Sequence, residues 1–130
     1  MVEAAMVLGI FMLGLLAGCD LLRVSFFYLT AQHAVQTTTR WATAADAGPG
    51  NDRVQIIKTE LRRKAEVFGI EFDTRNIWVC PASSPTRCMF EDAGSPRTDF
   101  SISVRYPVHL ITLNREITLD FLAYGRNERS

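Results

Sequence analysis

The stretch that decides the fold is VEAAMVLGIFMLGLLAGCDLLRV, residues 2–24. Residues 4–19 carry no charged side chain, and Glu3 and Asp20 flank them. A helix over residues 4–19 is about 24 Å long, and extending it to Leu22 makes it long enough for the hydrocarbon core of a bilayer, about 30 Å thick. The run therefore predicts a membrane-embedded helix, with residues 1–22 as its transmembrane half.

The apolar run continues without a break into an amphipathic segment. No Pro or Gly occurs between Cys19 and Gly48. Residues of one helix face recur at alternating three- and four-residue steps; they are Val24, Phe27, Ala31, Ala34, Thr38, Trp41 and Ala45. Asp20 and Arg23 are one turn apart, and we expect them to pair at the membrane surface. The pattern predicts one helix from about residue 2 to about Asp46, whose second half packs against a domain.

Residues 23–130 are predicted to form a small extracytoplasmic domain, which includes the second half of the first helix and continues with a second helix. Residues 47–52 have the composition of a loop, and Asp52 is a favourable N-cap. An apolar stripe then predicts a helix over residues 52–68, and Gly69 suits the position just after its end.

Strands follow this helix. Residues 77–79 (IWV) are a short β-prone run, and alternating apolar and polar residues predict strands at 100–106 and 117–123. Pro107 either ends the second of these three strands or places it at a sheet edge. We expect residues 109–114 to form a partly buried connection between the last two strands. The predicted fold is α+β: a long N-terminal helix and a second helix packed on a small antiparallel sheet of three or four strands.

The three cysteines divide into a pair and a single residue. Cys80 and Cys88 lie in a Pro- and Ser-rich loop, whereas Cys19 lies in the apolar run. Seven residues separate the pair, and without a nearby His or third Cys this is a poor zinc pattern. Free thiols in a cytosolic loop are one alternative. A disulfide is the favoured interpretation, and it places the domain in an oxidising compartment.

Composition and motifs argue against several functional classes. The formal net charge is zero and no cluster of basic residues stands out, which argues against nucleic acid as a partner. No nucleophile elbow, zinc-protease motif, phosphate-binding glycine loop or redox Cys pair occurs. His33 and His109 have no partner at ligand spacing. We therefore expect no catalytic residue, no metal and no cofactor.

Three interpretations of the N-terminal segment compete. A cleaved secretory signal requires a basic start, and none precedes Ala4. A lipoprotein signal is supported by Leu16–Cys19 (LAGC), which matches a lipobox ending in a lipidated Cys19. The third interpretation is a retained transmembrane helix that runs directly into the domain.

The retained helix raises a question of orientation. Arg23 and Arg40 lie downstream of the apolar run and would keep the domain in the cytoplasm by the positive-inside rule, whereas the cysteine pair favours the opposite side. A basic leader upstream of Met1 would reconcile the two signals.

The combination of a charge-free run, a Glu near its start and an unbroken amphipathic continuation resembles type IV pilins and pseudopilins. It is most similar to TadE-like proteins of the tight-adherence pilus. The segments that carry the resemblance are Val2–Leu8 (VEAAMVL), Asp20–Arg23 (DLLR), Tyr28, Arg40–Ala45 (RWATAA), the strands at 101–106 and 117–123, and Glu128. The chain departs from the family in having Ala4 where an aromatic residue usually follows the Glu, and in lacking a Pro within the run.

The resemblance implies a non-enzymatic minor pilin or pseudopilin in the bacterial inner membrane, with its domain in the periplasm or in an extracellular pilus. Its partners would be other pilin subunits, a prepilin peptidase, the inner-membrane pilus platform and membrane lipid. The alternative is a periplasmic binding module held by the helix or by a lipidated Cys19.

We expect an assembly set made of Glu3, Gly14, Gly18, Asp20 and Arg23. The role of Glu3 in this set is what the resemblance implies. Glu3 would pair with the N-terminal amine of a neighbouring subunit; the alternative is that its carboxylate simply reaches lipid headgroups. Gly14 and Gly18 form a small-xxx-small step that permits close helix packing, although Gly is also common in membrane helices generally.

Overall fold

The computed structural model describes residues 2–44, 51–86, 88–95 and 97–128. Its elements in chain order are α1 (Val2–Ala44), α2 (Asn51–Glu66), a short 3₁₀ turn (Thr74–Asn76), β1 (Ile77–Pro81), β2 (Asp99–Leu110) and β3 (Arg115–Arg126). The strands form one antiparallel sheet in the order β1-β2-β3. α1 packs against β2, β3 and α2. The fold is α+β, as predicted.

The single long helix is confirmed. α1 is unbroken from Val2 to Ala44, and its predicted last residues lie outside the described part of the chain. Ala31, Ala34 and Thr38 are buried on the predicted inner face.

Thr39 departs from the expected pattern. The spacing places it on an outer side of α1, but it is buried. Its hydroxyl donates to the Val35 carbonyl at 2.8 Å, and its methyl group packs against Gly125 of β3. A Cβ added at Gly125 would lie 2.8 Å from Thr39 Cγ2 and 2.7 Å from Phe100 Cζ, so only glycine allows this close approach of α1 to the sheet.

The second helix differs from its prediction at both ends. α2 begins at Asn51, so Asp52 lies inside the first turn and the prediction that it is the N-cap is wrong. The predicted loop residues 47–50 lie outside the described residues. α2 ends at Glu66, and Gly69 follows with φ of 72°. The N–H of Gly69 donates to Glu66 at 2.9 Å and that of Ile70 donates to Ala65 at 3.1 Å, which is a Schellman ending.

A polar contact ties α2 to α1. The Lys64 ammonium donates to the Thr37 carbonyl at 3.1 Å and lies 5.9 Å from the centre of the Trp41 ring. Burial lowers the pKa of Lys64 below its ordinary value. Lys64 therefore links α2 to α1, and its ammonium keeps the Thr37 carbonyl as a hydrogen-bond acceptor.

The hydrophobic core lies between the helices and one face of the sheet. Its largest fully buried side chains are Phe100, Phe121, Ile57, Leu61, Ile70, Ile77 and Ile102. The apolar stripe of α2 and the alternating residues of β2 and β3 thus meet in a single cluster.

β2 is longer than predicted. It continues through Pro107 to Leu110, so the prediction that residues 109–114 form one connection is wrong at its start. β1 pairs with β2 only as far as the Ile77–Val104 pair, and Pro107 lies beyond it. Pro107 therefore occupies a locally unpaired edge of β2, where its missing N–H costs no sheet hydrogen bond.

The opposite face of β2 is also buried over part of its length. The alternation within β2 predicts that Ser101 and Ser103 face solvent, but both are buried. The Ser101 hydroxyl donates to the carbonyls of Cys80 at 3.3 Å and Pro85 at 3.2 Å. The loop after β1 folds over this face, which the alternation within β2 does not reveal.

A buried polar cluster joins the end of α1 to the end of β3. Arg53, almost fully buried at the start of α2, donates to the Ala42 carbonyl at 2.8 Å and to the Asn127 side-chain oxygen. The Asn127 amide donates in turn to the carbonyls of Ala93 at 2.9 Å and Ser95 at 3.0 Å. The cluster connects α1, α2, β3 and the long loop.

Candidate membrane and assembly surface

The N-terminal half of α1 makes almost no contact with the rest of the protein. Every side chain from Glu3 to Cys19 is exposed. The helix is long and apolar enough to cross a membrane, and only 6% of its most apolar window is buried within the protein. A helix of a water-soluble core would be largely covered, so this surface requires an apolar environment or partner.

Glu3, Gly14 and Gly18 lie on one side of this uncovered helix. At about 100° per residue they fall within about 60° of one another around the axis. A Cβ added at Gly14 or Gly18 would meet no atom within 4 Å. We call this surface the Glu3 face. The protein's own fold leaves it open.

Asp20 contacts the domain instead of standing on the open surface. Its side chain is 7% exposed, and its carboxylate accepts from the backbone N–H of Thr112 at 2.6 Å and of Ile111 at 3.3 Å. The expected partner, Arg23, lies over the Phe27 ring at 5.6 Å from its centre. The turn between β2 and β3 therefore supplies the hydrogen bonds to the Asp20 carboxylate, and Arg23 adds only a weaker electrostatic attraction.

That turn, residues 111–114, is the tip of the β2–β3 hairpin and carries two exposed apolar side chains. Ile111 is 63% exposed and Leu113 is 67% exposed, so the expectation of a partly buried connection is wrong for both. Sequence reasoning missed the tip as a surface, although two large apolar residues in a turn are an unusual signal.

A groove of about 350 Å³ lies beside the contact between the tip and α1 and is lined by residues of both. Its lining residues are Ala17, Asp20, Leu21, Val24, Leu110, Thr112, Leu113 and Ile117. Apart from Asp20 and Thr112 these side chains are apolar, so the groove joins the tip to the uncovered surface of α1.

The predicted disulfide is confirmed. Cys80 at the end of β1 is bonded to Cys88, with their Cα atoms 5.7 Å apart. Beyond it, Met89 and Phe90 are 91% and 79% exposed. The next residue, Glu91, is held by the ammonium of Lys58 at 2.6 Å.

Cys19 is a free, exposed thiol within the continuous part of α1. It immediately precedes Asp20, whose carboxylate holds the hairpin tip. The lipobox interpretation would therefore place a lipid one residue before the contact between α1 and the domain.

Within the described ranges no group of three or more His, Cys, Asp or Glu residues is placed to hold a metal ion. The His33 ring meets the edge of Phe68 at 6.4 Å, and His109 lies exposed on β2 opposite Glu116.

Comparison with known proteins gives no match among family models, curated proteins or solved structures. The resemblance to TadE-like proteins therefore stays a prediction from the sequence. The uncovered half of α1, its Glu3 face and its contact with the hairpin tip are the features that bear on function.

Proposed function

We propose that the protein is a non-enzymatic assembly subunit, a TadE-like minor pilin or pseudopilin anchored in the bacterial inner membrane. The observation that carries the proposal is the division of α1 into two halves. One unbroken helix has an apolar, uncovered first half and a second half that packs into the α+β domain. This is the arrangement expected of a subunit whose first half packs against lipid before assembly and against other helices afterwards.

The direction of the Glu3 face supports lateral packing. Asp20, Ala31 and Thr38 mark the side of α1 that contacts the domain. On ideal helix geometry the Glu3 face points about 100–160° away from Asp20. A second helix can therefore approach Gly14 and Gly18 without meeting its own subunit's hairpin.

Glu3 supplies the polar element of this packing. It lies about 26 Å along the axis from Asp20, close to the thickness of the hydrocarbon core. A carboxylate that enters an apolar bundle without a partner is costly, and a cationic partner removes much of that cost. The N-terminal amine of a neighbouring subunit would satisfy Glu3 at only one axial register.

The disulfide supports an extracytoplasmic domain. Cys80 and Cys88 are bonded, and structural disulfides persist mainly in oxidising compartments. The periplasm is then the side on which the domain lies before assembly. A prepilin peptidase and an inner-membrane pilus platform are the partners that this function requires.

The test compares Glu3→Gln with Glu71→Gln, a matched change at an exposed carboxylate outside α1. Each variant replaces the wild-type subunit in the bacterium that encodes it, and subunits are quantified in membranes and in sheared surface filaments. We expect Glu3→Gln to insert normally and to be lost from filaments, and Glu71→Gln to behave as wild type. Wild-type amounts of Glu3→Gln in filaments would contradict the proposal.

Intact mass of the membrane form separates this proposal from the lipoprotein alternative. A subunit that assembles as proposed retains residues 1–18 and therefore the Glu3 face. A chain that begins at a diacylglyceryl-modified Cys19 has lost that face, and this mass would establish the alternative.

A further inference from the structure

We propose that the hairpin tip is a second membrane contact, with Ile111 and Leu113 seated in the headgroup–acyl boundary of the bilayer that α1 crosses. The proposed occupant of this surface is lipid. The inference goes beyond filament assembly, because it depends only on α1 crossing a membrane.

The depth of the tip follows from its hydrogen bonds to α1. The charge-free part of α1 ends at Asp20, about 26 Å from Glu3 along the axis, so a bilayer core of about 30 Å places Asp20 at its boundary. Side chains on a helix lean towards its N-terminus, which here is the membrane side. The Asp20 carboxylate binds the N–H groups of Ile111 and Thr112, and these bonds hold the tip at the boundary.

The same bonds make the tip suitable for an apolar environment. Two backbone N–H groups that would otherwise face the surface are satisfied by a carboxylate that is itself 7% exposed. Backbone groups can enter lipid only when they are paired within the protein. The large side chains left uncovered at the tip are apolar, Ile111 and Leu113, and the polar Asn114 beside them is exposed at the end of the turn that leads into β3.

Continuity of surface favours lipid over another protein as the occupant. The groove beside the tip is lined by Ala17 and Leu21 of α1 as well as by Leu113, so the tip extends the surface that α1 already presents to the bilayer. Exposed Arg23 follows Asp20 by three residues along α1, and exposed Arg115 begins β3 directly after the tip, so both lie on the side that leads away from the bilayer. That is the level of the lipid phosphates, and arginine there adds electrostatic attraction to an anionic leaflet.

The experiment measures the depth of nitroxide spin labels on the full-length protein in vesicles of phosphatidylcholine and phosphatidylglycerol. Cys19→Ser removes the native free thiol, and labelling without reduction leaves the disulfide intact. Labels are placed singly by Leu113→Cys and, as a second reporter, Ile111→Cys. Collision rates with oxygen, which is enriched in lipid, and with a water-soluble nickel chelate are compared.

Two further labels calibrate the result. Leu13→Cys reports the interior of the transmembrane half, where Leu13 is 60% exposed. Val67→Cys is the matched aqueous control, because Val67 is a large apolar residue that is 75% exposed. Its neighbour Phe68 packs against His33, about 20 Å further along α1 than Asp20.

We expect the oxygen-to-nickel ratio at 113 and 111 to be several-fold higher than at 67 and to approach that at 13. A ratio at 113 and 111 equal to that at 67 would place the tip in water and overturn the inference. Shielding from both reagents, with dipolar broadening between copies, would indicate a second copy as occupant and also overturn it. An aqueous label at 13 would overturn both this inference and the anchoring assumed under the proposed function, whereas failure at 113 and 111 alone leaves that function standing.

Discussion

Replacing Asn127 with Ala tests whether the buried polar cluster holds the domain together. The Asn127 side chain accepts from Arg53 and donates to the carbonyls of Ala93 and Ser95, and it is 1% exposed. The variant removes these bonds while leaving Arg53 with its bond to Ala42.

The cost can be worked out from these partners. A hydrogen bond to a charged group contributes about 1.5–3 kcal/mol, and a buried carbonyl left without a donor costs about 1–3 kcal/mol. Because Arg53 retains one acceptor and Ser95 is exposed, we take the lower part of both ranges. The expected loss in the free energy of unfolding is about 3 kcal/mol, a large fraction of the stability of a domain this size.

The assay is urea unfolding in detergent micelles, followed by the fluorescence of Trp41 and Trp78. The two free energies of unfolding can be compared if their slope against urea concentration is the same in the variant and the wild type. Glu128→Ala, at the adjacent exposed residue, is the control and should change stability by less than about 0.5 kcal/mol. A loss below about 1 kcal/mol for Asn127→Ala would refute the reasoning, since the cluster would then be replaceable by water.

Two further predictions concern the domain. Replacing Cys80 and Cys88 together with Ser should lower the free energy of unfolding by about 2–3 kcal/mol, the loop-closure entropy for a sequence separation of 8, and urea unfolding without reductant checks this. Hydrogen bonds from Arg63 at 2.7 and 2.9 Å lower the pKa of Glu60 below its ordinary value of 4.5. These bonds therefore stabilise the folded protein fully above pH 4.5, and this stabilisation is lost as the pH falls through the lower pKa that Glu60 has in the folded state. Glu60→Gln should make the free energy of unfolding less dependent on pH in this acid range. An unchanged pH dependence would contradict the prediction.

The helices and the positions of the strands could be predicted because their signals are local. Absence of Pro and Gly between Cys19 and Gly48 predicts the length of α1, and alternation predicts the inner faces of β2 and β3. The errors arose where distant segments decide burial. Thr39 is buried because Gly125 opens space beneath it, and Ser101 is buried because a loop folds over it.

The candidate site was predictable only in part for the same reason. Glu3 and the small-residue step are visible in the run itself, because a charge or a glycine stands out among large apolar residues. The partner of Asp20 is not visible, since the turn that binds it lies more than 90 residues further along the chain. Local spacing pointed to Arg23 instead, and no helical periodicity indicates a contact with a hairpin turn.

The stiffness of α1 has a mechanical consequence. Without a glycine or proline hinge after Gly18, α1 transmits motion as a lever whose arm from Asp20 to Ala44 is about 36 Å long. A tilt of about 10° at the level of Asp20 would displace the far end of α1 by about 6 Å. In the membrane-anchored state proposed above, small changes in bilayer thickness would be amplified into movements of the far end of α1. The proposed lipid contact of the hairpin tip, next to Asp20, would resist these movements.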